Sequence, residues 1–148
     1  MLYIQIREIL DYTRDVDNAI SRIYDNFGKA SGDNVSGQLA DYLGRHYKRM
    51  SECISGMSDE ESESLLSTHI PYGPQPADFK RLEKLHLEPD ASVDELIDAA
   101  IEVDGKLVDL FKTALESPVG EKVREFFEHL VQYEDGDREK LRQIKAYY

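Results

Sequence analysis

Four carboxylates and one imidazole stand where the helical period of the chain calls for apolar side chains. Asp17 interrupts the run Ile6, Leu10, Thr13, Ile20, Tyr24, Phe27, and Asp104 interrupts Val93, Ile97, Ala100, Leu107, Phe111, Ala114. His46 falls in Leu39, Leu43, Met50, Cys53, Met57, and Glu134 with Asp137 in Val123, Phe127, Leu130, Leu141, Ile144. Steps of three and four mark one face of a bundle helix, so these five ionisable groups are expected to point inward. A buried acid is costly unless it is protonated, paired or bound to a metal. Four inward acids at one level would repel one another, and a hard cation would relieve that repulsion. Oxygen donors with one imidazole suit Fe, Mn or Zn.

The elements that would carry these groups are delimited by breakers. Gly28 to Gly37, Ser58 to Asp90 and Ser117 to Gly120 gather the glycines, prolines and small polar residues. They leave four helical segments, roughly 4–28, 35–57, 92–116 and 119–146, rich in Leu, Ile, Glu, Lys and Arg. Ser92 with Glu95 reads as a capping box, and Ser117-Pro118 as an N-cap followed by Pro. Two short connections predict two antiparallel hairpins. The long middle connection, 58–91, can run back along the bundle, with short helices expected near 59–66 (Ser58 and Glu61 as a further capping box) and 77–87. No strand of useful length is expected. The fold class is therefore all-α, a single four-helix domain over 1–148.

The two halves also align. Asp17 precedes Tyr24 as Asp104 precedes Phe111, and Leu39, Tyr42, Leu43, His46, Met50 match Leu130, Tyr133, Glu134, Asp137, Leu141 without a gap. One acid from the first helix of a hairpin and an i, i+3 pair from the second, used twice, is the plan of carboxylate-bridged two-metal bundles. On these residues the chain resembles the ferritin-like superfamily, most closely its rubrerythrin-like branch. That family carries Glu on helix one, Glu-x-x-His on helix two, Glu on helix three and Glu-x-x-His on helix four. Here the matching positions read Asp17, Leu43-x-x-His46, Asp104 and Glu134-x-x-Asp137.

The resemblance implies a metal centre of one or two ions, Fe or alternatively Mn or Zn, held by Asp17, His46, Asp104, Glu134 and Asp137. It implies an oxidoreductase handling oxygen, peroxide or iron, and a homodimer. With Cys53 alone, a four-cysteine electron-transfer module is absent, so such chemistry would need an external electron donor. The rival reading follows from Leu43: a metal-free bundle with a vestigial site, serving in protein interaction or stress response.

Composition narrows the field further. The formal charge of −12 argues against nucleic acid and against anionic membranes. Charged residues make up 32%, too many for a membrane protein, and Arg7 and Glu8 disqualify the first residues as a signal peptide. A cytoplasmic protein is expected. A single cysteine forms no internal disulfide, and Cys53 reads as a small buried hydrophobe. Tyr24, Tyr42 and Tyr133 read as core-edge rings that could tune a metal site. His69, His86 and His129 are assigned to loops or outer faces. Asp59 to Glu63 reads as a solvated helix start. Gly44 and Gly136, inside helices, point to close approach or local distortion.

Overall fold

The apolar stripes become four long helices. The computed structural model describes residues 2–148, and its elements in chain order are β1 (Tyr3–Gln5), α1 (Ile6–Ser31), α2 (Val35–Glu60), α3 (Glu63–Leu66), β2 (His69–Pro71), α4 (Pro76–Leu82), α5 (Val93–Leu115) and α6 (Glu121–Tyr147). α1 packs closely on α2, and α5 on α6, as the short connections require. The crossover, 61–92, joins the two hairpins.

Capping chemistry sets several boundaries. Asn34 Oδ1 accepts from Gly37 N–H at 2.7 Å to open α2. Ser92 Oγ accepts from Glu95 N–H at 3.1 Å, while Glu95 Oε1 accepts from Ser92 N–H at 3.3 Å, which forms the expected capping box. Two expected starts are corrected. Ser58 lies inside α2, which runs to Glu60, and Ser62 caps the short α3 instead. Ser117 does not cap α6. Its hydroxyl donates to the Pro71 carbonyl, and the helix begins after Gly120. α4 stops at Leu82, short of 87, through a last turn closed by i→i+3 bonds, Glu83 N–H to Lys80 O and Lys84 N–H to Arg81 O.

The crossover is part of the core. Phe79 and Ile70 are fully buried, with Leu66 and Leu82 nearly so, and Phe79 stacks on Tyr12 of α1 at 5.7 Å. Each such burial is worth about 1.5–3 kcal/mol. A second tie was not expected from the sequence. β1 and β2 pair antiparallel, Tyr3 with Pro71, Ile4 with Ile70 and Gln5 with His69. Ile4 and Ile70 turn to the core while Tyr3 and His69 meet edge-on outside. Two three-residue strands are too short to leave a period-2 signature.

Gly44 is a point of close helix approach. Ser21 Oγ of α1 donates to its carbonyl at 2.7 Å. A Cβ there would lie 3.2 Å from the Ser21 carbonyl oxygen and 2.1 Å from the Asp25 carboxylate. Gly136, by contrast, faces open space.

Candidate metal centre

All four long helices contribute to one buried level. α1 supplies Asp17, α2 His46, α5 Asp104, and α6 Glu134 and Asp137 from one helix face. Asp17, Asp104 and Glu134 are fully buried, and Asp137 is 7% exposed. The His46 side chain is 16% exposed and is the most accessible of the five. Its Nε2 lies 2.7 Å from Asp137 Oδ1, an ion-pair distance without the alignment of a linear N–H···O bond.

The acids perturb one another as burial and proximity dictate. Burial, and then the Asp137 charge, raises Asp17 well above the ordinary carboxylate range. Burial, followed by the charges of Asp17 and Asp137, raises Glu134. Asp104 is raised by burial and by its interaction with Asp137. Burial also pushes Asp137 upward, but the His46 ring, the Asp104 carboxyl and the Lys140 charge outweigh it and hold Asp137 below its usual value. Asp104 and Asp137 thus titrate as a coupled pair.

Most of the donor atoms have no partner. Both oxygens of Asp17, both of Glu134, Asp104 Oδ2 and Asp137 Oδ2 are buried without a hydrogen bond. Native interiors rarely leave such groups unsatisfied, and a cluster of them calls for a bound species. Hard oxygens and one imidazole nitrogen match the donor set of a first-row divalent cation. In the rotamers observed, however, no three His, Cys, Asp or Glu side chains converge closely enough to hold an ion among the described residues. Drawing these carboxylates onto one ion therefore requires side-chain rotation.

The sequence matches no protein-family model and no curated protein. Its three-dimensional form does have a counterpart. A crystal structure from Thermotoga maritima, of a protein proposed to be a ferritin-like diiron-carboxylate protein, matches 99% of this chain and 97% of its own with a TM-score of 0.61, at 16% identity. The fold is ferritin-like. Within this ferritin-like bundle, two matched pairs of the half-repeat share the same burial. Leu43 is as fully buried as Glu134, its counterpart, and Tyr24 as Phe111. Leu43 puts a hydrocarbon where that register would accept a further acid.

Tyr47 is the residue that sequence reasoning missed. Its hydroxyl donates to Asp104 Oδ1 at 3.0 Å and to the Ala100 carbonyl at 3.2 Å. Its ring stacks on Tyr24 at 6.0 Å and meets His46 edge-on at 5.4 Å. Burial, then the Asp104 charge, raises both Tyr24 and Tyr47, so both remain neutral donors. The available signal was the alternative spacing Leu43, Tyr47, Met50, Ile54, all four buried. Tyr47→Phe removes the bond that lowers Asp104. We expect the metal-free protein to lose about 1–1.5 kcal/mol, read as a lower urea midpoint at unchanged slope.

The same rotation of α2 corrects Cys53, which is exposed. Tyr24 is fully buried and bonds the Leu96 carbonyl at 2.6 Å. Tyr42 is 39% exposed and stacks on His46 at 6.3 Å. Tyr133 is half-buried, and burial and then Cys53 raise its hydroxyl. His69, His86 and His129 stand outside the cluster.

Proposed function

We propose that this ferritin-like bundle binds one redox-capable divalent cation, Fe or Mn, through Asp17, Asp104, Glu134 and Asp137, with His46 as the nitrogen donor. The observation that carries this reading is the set of buried carboxylate oxygens, drawn from three helices, that lack any partner. When bound, such an ion supplies one-electron exchange with oxygen, peroxide or further iron. The chain's own residues set its surroundings. Tyr47 orients Asp104 from behind, and buried Leu43, Val16 and Val103, each within three residues of a site residue, limit water at this level. Electrons would come from an external donor.

Elemental analysis of untagged protein, before and after anaerobic Fe(II) reconstitution, tests the reading. We expect about one ion per chain, a rise in Tm on loading by mass action, and a loss of most bound metal in both Asp104→Ala and Glu134→Ala. Metal content unchanged in both variants would sink the ligand assignment. The rival reading, a metal-free bundle with a decayed centre, draws on buried Leu43 and on the lack of convergent side chains. It predicts no metal after reconstitution and no Tm shift across a chelator series.

A further inference from the structure

A groove runs between α2 and α6, crossed near its middle by the His46–Asp137 contact. Each hairpin is closely packed within itself, and α2 packs on the second hairpin through α5. The space along α6 holds two adjoining cavities of about 600 and 610 Å³, which share Tyr42, Lys140 and Ile144. On α2 they reach from Gln38 to Cys53, a stretch of about 22 Å at the helical rise.

The two ends of this groove differ in chemistry. The inner end is lined by Arg49, Lys140 and His46, with Asp137 as its one acid, already paired to His46. Neither Arg49 nor Lys140 has an ion-pair partner within 4.0 Å among the described residues. In a chain of 30 acidic and 18 basic residues, two unpaired cations lining one groove reverse the local sign. The outer end is mainly apolar. Leu39, Tyr42, Ile144, Tyr147 and Tyr148 line it beside Gln38 and Gln143, with Lys140 at the junction of the two cavities, and three of these rings are exposed, at 39%, 93% and 63%.

We propose that this groove binds an amphiphilic organic carboxylate, its head between Arg49 and Lys140 and its apolar tail along Leu39, Tyr42 and Ile144 toward Tyr148. Charge complementarity selects an anion over a cation. The narrow length, apolar walls and few polar groups suit a slender small molecule. Arg49 and Lys140 are not ligands of the proposed cation, but His46 and Asp137, which line the same inner end, are, so the groove is to be tested both without and with metal.

Octanoate is the probe, titrated by calorimetry into metal-free and metal-loaded protein, with acetate, octanol and octylammonium as comparators. Octanoate is expected to bind one per chain, at least about tenfold tighter than each comparator. Lys140→Ala, an exposed position with little bearing on folding, is expected to weaken octanoate about tenfold, and Lys140→Glu further, while the exposed Lys80→Ala on α4 leaves it unchanged. Equal binding of octanoate and octylammonium overturns the proposal, as does an unaffected Lys140→Ala. A dimer by sedimentation that excludes octanoate also overturns it, because a second copy would then cover the groove. Loss of metal binding with octanoate binding intact removes the metal reading alone.

Discussion

Leu43→Glu is expected to turn a site for one cation into a site for two. Leu43 is fully buried in α2 at the position that the internal repeat pairs with Glu134, one turn before His46. Without metal, a fifth acid at this level adds an uncompensated charge to a cluster whose oxygens already lack partners. The metal-free variant should lose about 3–5 kcal/mol, seen as a large drop in urea midpoint. With Fe(II) or Mn(II), the same carboxylate supplies the missing donor and the bound metal per chain should double. Leu43→Gln has a similar shape but no charge, and is expected to be destabilised without gaining metal. If Leu43→Glu keeps the wild-type stoichiometry, the Leu43 position in the first half of the repeat is not a latent metal position.

Metal-free protein is expected to be more stable in mild acid than at neutral pH, the reverse of ordinary acid denaturation. Asp17, Asp104 and Glu134 all have folded-state values above their ordinary 3.8 and 4.5. A group raised by folding contributes its stability in full below the unfolded value, and loses it as pH climbs through the folded one. The loss therefore begins above about pH 4.5 and continues through the raised values, at about 1.4 kcal/mol for each tenfold weakening of an acid on folding. Asp137 has the opposite sign, since its lowered value is lost only as pH falls below 3.8. Bound metal inverts the trend because it requires deprotonated ligands, so loaded protein should gain stability with rising pH. Glu134→Gln should raise the metal-free Tm at pH 8, flatten its pH dependence and abolish the metal-induced shift. The exposed Glu128→Gln serves as the control for surface charge. Melting curves at pH 5.5 and 8, with and without Mn(II), decide the matter: a metal-free Tm that rises with pH would mean that the acids are not held protonated by the core.

The sequence was most legible where one face of a helix is both apolar and periodic. The four long helices, the hairpin pairing and the Ser92–Glu95 box follow from spacing alone. So does the burial of Asp17, Asp104, Glu134 and Asp137; a phase one position earlier would have turned Val16 and Val103 inward instead of the two aspartates, and the helices bury both members of each pair. α2 was harder. It buries Ala40, Gly44, Tyr47 and Ser51 along with Leu39, Leu43, Met50 and Ile54. Gly44 and Ser51 add almost nothing to a hydrophobic pattern, so spacing draws the face through His46 and Cys53, when it is turned toward Tyr47. Ser117-Pro118 satisfied a local rule for starting a helix, but the Pro71 carbonyl competes for the Ser117 hydroxyl across 46 residues of sequence. A partner at that separation leaves no local trace.

The clasp between β1 and β2 has a kinetic consequence. Each hairpin closes over neighbouring residues, so its contacts can form early, whereas Gln5 must find His69 across 64 residues, with the whole first hairpin between them. Such a pairing is expected to form late, after the first hairpin exists and while the second is docking. The acids divide along the same line, Asp17 on the first hairpin and Asp104, Glu134 and Asp137 on the second. A folding intermediate with only one hairpin would therefore offer an incomplete donor set, and cation capture would report on the docked chain alone.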